Sequence, residues 1–377
     1  MEITFSVELT DLCNARCNYC IIGTGQAPHG TRLGYLSLED FHRLFERFDE
    51  FLADAACTPA EHPEVYLRLC GIGEPTLHRD FLEFFEIAMA QPHIRQLALV
   101  TNGSYLPKER VDAMAEVIRR HPEVTVEVLL GLDAVDTRAQ RAIKKVSNIW
   151  KVNSDVEYFL GLKRRHGLDN LKFVLQLVVT DENLDQVIPF CRFWSHALQE
   201  RDFSFTLTGD WGYLDHIQDY DAFIWIKCRD AGPAEQPRFD ELHRYALAQM
   251  GIPQAGNKPS ALPQTVQQRH SETNSLSNSI KICGVFWYGI NVNAAGDISP
   301  CCIDNAFELK IGNIREAPLP EIYRGEIMRR MRLAHIQGDF SEVPLCAACT
   351  SVHRYKYVSR EAVERYLSAV GEELSVP

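Results

Sequence analysis

Between residues 3 and 210 the chain repeats a strand-then-helix step six times, at about 34 residues per step. Strands are predicted at 3–9, 65–71, 95–103, 124–133, 171–179 and 202–210, from short runs rich in Val, Leu, Ile and Phe. Amphipathic helices are predicted at 37–55, 78–91, 107–121, up to about 166, and at 183–200. Near-continuous apolar strands alternating with such helices build a parallel sheet covered by helices, an α/β fold. If the sheet curls into a barrel, chemistry belongs at the C-terminal ends of its strands. Unusual loops collect there: the cysteine-bearing VELTDLCNARCNYC, GIGEPTLH (71–78), TNGSY (101–105), GLDA (131–134) and TGDWGY (208–213).

Charge and cysteine usage narrow the function. Lys and Arg number 39 against 51 Asp and Glu, a net charge of −12. That balance argues against an extended nucleic-acid surface. MEITFSVELT has no basic region and no long apolar stretch, and no run of 18 apolar residues occurs, so no secretion signal or membrane span is expected. Twelve cysteines without an export signal point to a reducing, cytoplasmic setting, where clustered thiols serve metal or redox chemistry. Cys57, Cys70, Cys191 and Cys228 are scattered and read as small buried hydrophobes.

Cys13, Cys17 and Cys20 are spaced C-x3-C-x2-C just after the first strand. Three thiolates on one loop can hold three corners of an iron–sulfur cube and leave one iron open. An open coordination position is where metal chemistry happens, whereas a closed one is structural. A zinc site completed by His29 is the competing reading of the triple, and a structural zinc ribbon is that of Cys283, Cys301, Cys346 and Cys349.

Taken together, these motifs resemble the radical S-adenosylmethionine (SAM) enzymes. Tyr19 precedes the last cysteine, where that family favours an aromatic residue. Ile72-Gly73-Glu74-Pro75 is similar to the G-G-E-P motif whose backbone meets the SAM amino group, with Ile72 in place of the first glycine and Gly71 just ahead of it. Thr101-Asn102-Gly103 resembles the turn after the third strand, and Asp133 falls where a polar residue commonly meets the SAM ribose. The C-terminal segment resembles SPASM/twitch accessory domains: Cys283, then Asn293-Ala-Ala-Gly296-Asp-Ile-Ser-Pro300-Cys301, Ile311-Gly312-Asn313-Ile314 and Cys346-Ala-Ala-Cys349. No cysteine follows Cys349, as in the single-cluster twitch type.

The resemblance implies a partial (β/α)6 TIM-like barrel over 1–210, a linker or lid with a substrate wall over 211–282, and a twitch/SPASM-like domain with a closing helix over 283–377. It implies SAM and two [4Fe–4S] clusters, one catalytic on Cys13, Cys17 and Cys20, and one auxiliary on Cys283, Cys301, Cys346 and Cys349. It also implies a flavodoxin- or ferredoxin-type electron donor and a 5′-deoxyadenosyl radical that abstracts a hydrogen atom. The acidic and aromatic Asp210, Trp211, Tyr213 and Asp215 are expected to wall a small polar substrate such as an aminosugar or aminocyclitol. Oxidation of an alcohol is the first expectation. Epimerisation with Cys302 as hydrogen-atom donor is the second and peptide maturation the third, the last disfavoured because the first strand begins by residue 3. A zinc-stabilised binding protein is the alternative outside enzymes.

Overall fold

A computed structural model describes residues 2–26, 34–58, 63–145, 148–231, 234–252, 282–341, 343–347, 349 and 358–372. The chain forms two compact units. One comprises Met1–Val7, Tyr35–Tyr66 and Lys258–Pro377, the other Glu8–Gly34 and Leu67–Asn257. Strand β1 (Glu2–Val7) belongs to the first, and the boundary falls inside β2 (Glu64–Leu69).

The second unit holds β3 (Ile94–Thr101), β4 (Thr125–Gly131), β5 (Leu171–Val179), β6 (Phe205–Thr208) and β7 (Ala222–Cys228). They run parallel in the order β3-β4-β5-β7-β6. Helices Lys108–Arg120, Ile149–His166 and Val187–Gln199 lie between them in sequence. Phe159 of the middle helix packs edge-on against Phe173 of β5, ring centroids 5.2 Å apart. Odd positions of β5 therefore face the helices, and Val174, Gln176 and Val178 face the opposite, inner side. Cross-strand partners share that side, which adds Leu129, Gly131, Phe223, Trp225 and Lys227.

Two expectations need correction here. The segment 202–210 does hold the sixth strand, β6, but at the sheet edge, and a further strand, β7, follows where none was expected. All five residues Ala222–Ile226 are buried, whereas β6 has four half-buried residues and is an edge strand beside β7. The segment expected as a linker or lid thus contains β7 and the helix Gln236–Gln249; its Pro- and Ser-rich part, 253–281, lies outside the described residues. The single helix expected at 37–55 is two, Leu38–Arg43 and Phe48–Ala53, because Arg47 takes a left-handed conformation (φ 55°) between them. That break turns both Phe48 and Phe51 into the core, their rings stacked at 5.6 Å.

In the first unit, β1 pairs in parallel with β8 (Gly289–Val292), and β9 (Asp297–Ser299) and β10 (Gly312–Asn313) continue antiparallel. Arg332, fully buried on the helix Glu326–Gln337, donates to the Phe286 carbonyl (2.9 Å) and the Cys57 carbonyl (2.8 Å) and lies over the Tyr366 ring. A buried guanidinium is tolerated because carbonyls and ring faces satisfy it. The closing helix is Arg360–Val370, and the Ser359 side chain caps it by accepting from the Ala362 amide. No described helix is long and apolar enough to cross a membrane.

Candidate active site

The loops leaving the strand ends of the second unit are interlocked by backbone as much as by side chains. The Glu74 amide donates to the Leu12 carbonyl (2.8 Å), and the Ile72 amide to the Glu8 carboxylate (2.7 Å). A Cβ on Gly73 would stand 2.0 Å from the Thr10 carbonyl oxygen, and one on Gly71 would stand 2.4 Å from Glu8 Oε2. The two positions that must be glycine are therefore 71 and 73, and Ile72 between them is accommodated.

Glu74 is buried and its carboxylate is engaged. Oε1 accepts from the Thr76 hydroxyl (2.6 Å) and the Thr101 hydroxyl (2.7 Å), and Oε2 from the Asn102 amide (2.7 Å). It fixes the Thr101-Asn102-Gly103 turn. Asn102 Nδ2 donates to Asn14 Oδ1 (3.0 Å) and lies 3.9 Å from the Cys13 sulfur. Asn14 in turn donates to the Ser104 hydroxyl (2.7 Å).

Asp133 departs most from the sequence expectation. It is fully buried, with φ 65°, and both carboxylate oxygens are engaged. Oδ1 accepts from the Val178 amide (2.9 Å), and Oδ2 from the Tyr19 hydroxyl (2.6 Å) and Lys144 Nζ (3.1 Å). A carboxylate spent on such internal partners is not offered to a ribose. Asp133 instead anchors the thiol loop. Burial and the Asp133 charge push the Tyr19 phenol well above its ordinary range. For Lys144 burial works against the ammonium, and the Asp133 carboxylate outweighs it. Tyr19 is half-buried with its hydroxyl held.

All twelve cysteines are free thiols. Burial raises the Cys13 and Cys17 thiols, Cys17 to about 11, and repulsion from neighbouring thiolates adds to this. In the first unit, Cys283, Cys301 and Cys346 are buried. Burial pushes Cys283 and Cys346 up to about 12 and Cys301 further. Each lies close enough to feel the charge of neighbouring thiolates: Cys283 that of Cys349, Cys346 those of Cys283 and Cys349, and Cys301 those of Cys283 and Cys346. Cys302 is exposed beside them. Asn293 and Asn313 shape this region. Asn293 Oδ1 accepts from the amides of Ala295 and Asp297 (both 3.0 Å), and Asn313 Nδ2 donates to the Ala295 carbonyl (3.0 Å) and Asp297 (2.8 Å). Among the described residues no three His, Cys, Asp or Glu side chains already converge as one ion's ligands would. His29 lies outside the described residues.

Two family models match: the radical SAM superfamily over residues 7–193 and an iron–sulfur cluster-binding domain, SPASM, over 283–350. The chain belongs to the radical SAM superfamily. The superfamily carries SAM and a [4Fe–4S] cluster, and the SPASM match adds auxiliary iron–sulfur binding. The GTP 3′,8-cyclase of Pasteurella multocida (strain Pm70) is 33% identical over 213 residues, 56% of this chain and 55% of the relative. That of Aeromonas hydrophila subsp. hydrophila is 29% identical over 237 residues, 62% of each chain. The chain thus spans little more than half the length of these relatives. Among solved structures, Streptococcus suis SuiB bound to precursor peptide SuiA has a TM-score of 0.54 at 15% identity, covering 93% of this chain and 70% of that one. The enzyme anSMEcpe with bound AdoMet has 0.52 at 15%, covering 98% and 93%. These establish the fold: a partial α/β barrel with a SPASM domain toward the C-terminus.

Of the four residues expected as a substrate wall of this radical SAM enzyme, Tyr213 is placed differently. Tyr213 is buried among Leu129, Val174, Phe223 and Trp225 and donates to Glu127 Oε1 (3.0 Å). Gln218, further on, donates to the hydroxyl of Thr125, the first residue of β4 (2.7 Å). The chain from β6 to β7 therefore packs on the inner face near the strand starts, as a floor, because Tyr213 has an apolar ring to bury. Asp210 is exposed and accepts from the Gly212 amide (2.7 Å), Asp215 is exposed, and the Trp211 side chain lies outside the described set. Toward the strand ends the same inner face carries Thr208, and Gln176 and Lys227, which the sequence reading missed. Their signal was alternation within β5 and β7, masked by a near-continuous apolar run.

Proposed function

We propose that this radical SAM enzyme abstracts a hydrogen atom from a small polar metabolite and completes a net two-electron oxidation of an alcohol. The donor chemistry fits the family's groups: three thiols on one short loop for the catalytic cluster, and a glycine cradle in which Gly73 leaves no room for a Cβ. Cys13, Cys17 and Cys20 would hold the cluster, and the Gly73 backbone and Tyr19 would contact SAM. When bound, SAM and the cluster would supply the one-electron, hydrogen-abstracting chemistry. The protein's own residues orient and enclose. Glu74 sets the Asn102 turn, Asp133 and Lys144 hold Tyr19, and Tyr213 closes the floor against water.

The observation carrying this reading is the fastening of the three-thiol loop to the Gly73 turn within the matched family region. Gln176 and Thr208 above an apolar floor support a polar substrate, while Lys227 is paired with Asp230 (3.0 Å). Cys283, Cys301, Cys346 and Cys349 close the auxiliary cluster, leaving it electron transfer as its role. A reducing cytoplasm, with a protein electron donor, belongs to the same reading.

Ring closure is the second reading, favoured by the named activity of the relatives. Epimerisation with exposed Cys302 as hydrogen donor is the third. Product analysis on a panel of hydroxylated metabolites and nucleotides separates them. Oxidation removes two hydrogens, ring closure and epimerisation conserve mass, and only an epimerase loses its inverted product in Cys302→Ala. A mass-conserving product from native protein would overturn the first reading.

A further inference from the structure

The thiol loop is fastened to one short helix, Thr137–Lys144. The Arg16 amide donates to the Lys144 carbonyl and the Asn18 amide to the Ile143 carbonyl, each at 2.9 Å. Loop amides thus satisfy the carbonyls at the helix C-terminus, and helix end and loop present one surface. Arg16, Arg141 and Lys145 are exposed on it. Arg138, one turn earlier, is paired with Asp185 (3.0 Å), but Arg141 and Lys145 have no ion-pair partner among the described residues. The Arg16 guanidinium lies against the loop itself, donating to the Ala15 carbonyl (2.8 Å).

This cationic face runs against the sign of the molecule, whose net charge is −12. We propose that it is the docking surface for a small acidic one-electron carrier protein. The inference rests on the reading that Cys13, Cys17 and Cys20 hold the cluster that receives the electron. The net charge of the molecule disfavours an acidic partner as a whole while this face attracts it, which steers the encounter toward the loop. One electron leaves the carrier and enters the cluster. The carrier is oxidised by one electron and the cluster reduced by one, and no bond forms or breaks.

The test compares native holoenzyme with an Arg141→Glu/Lys145→Glu variant. The readout is SAM cleavage driven either by reduced flavodoxin, a small acidic carrier, or by dithionite. With flavodoxin, the variant is expected to run about tenfold slower at low salt, and only the native rate should fall steeply as salt rises. With dithionite the two should agree within about twofold, because neither residue touches the reacting groups. Titration of oxidised flavodoxin should show weaker binding to the variant. An Arg141→Gln/Lys145→Gln variant, free of introduced repulsion, should fall between the two, and iron content checks its folding. Equal flavodoxin-driven rates and equal binding in all three proteins would overturn the docking surface. No cleavage by native protein with dithionite would instead overturn the underlying cluster reading, and the docking surface with it.

Discussion

The Tyr19 hydroxyl donates to Asp133 Oδ2 at 2.6 Å, joining the thiol loop to the chain just beyond β4. Asp133 can serve because the Lys144 ammonium shares the same oxygen and the Val178 amide takes the other. A buried carboxylate stays ionised only in such company.

Removing one member of this buried group should cost unequally. Tyr19→Phe keeps the ring and loses one hydrogen bond to a charged group, about 1.5–3 kcal/mol. Asp133→Ala leaves Lys144 charged, buried and unpaired, about 3–5 kcal/mol. Urea unfolding of the two variants should show that order.

The glycine pair predicts a contrast between neighbours. Gly73→Ala drives a Cβ into the Thr10 carbonyl, so the loops must part, and SAM binding should fall at least about tenfold while β-sheet circular dichroism persists. Ile72→Gly should bind SAM within about threefold of native, since this position is not the one that requires glycine. Equilibrium dialysis with labelled SAM reads both.

Glu74→Gln is nearly isosteric, yet every contact named above brings a donor to its carboxylate. The amide must turn a donor toward the Asn102 amide or toward the threonine hydroxyls. A loss of about 1–3 kcal/mol is expected, with faster hydrogen exchange at Asn102 and Gly103.

In the first unit, Arg315 reaches Asp40 at 2.8 Å. Burial disfavours the Asp40 carboxylate, but Arg315 and Ser37 outweigh it and hold the carboxyl below its ordinary value. A depressed folded pKa gives stability that is present above the unfolded value of about 3.9 and lost as pH falls through the folded one. Arg315 is half-exposed, so Arg315→Ala should cost only about 0.5–1 kcal/mol at pH 7, and that difference should fade at the acid end of a series of thermal melts.

Much of this was legible in sequence because it is local. The thiol spacing, the Gly73-Glu74 and Thr101-Asn102-Gly103 turns and the strand–helix rhythm each lie within a few consecutive residues. What was not legible depends on distant partners. Asp133 is in the expected place, but Lys144, Tyr19 and Val178 arrive from three other segments and spend its oxygens. Tyr213 sits in an acidic, aromatic stretch that reads as a substrate wall, and only the path from β6 to β7 turns its ring into the core. The strand order was hidden for a similar reason, since β6 and β7 have comparable strand propensity and differ in burial.

The most direct test of the central claim is anaerobic reconstitution followed by reduction with SAM. Native protein should be brown, hold about eight irons as two four-iron clusters, and release 5′-deoxyadenosine and methionine. Cys17→Ala should keep about half the iron and release neither. Colourless native protein carrying one or two zinc ions and leaving SAM intact would contradict the account.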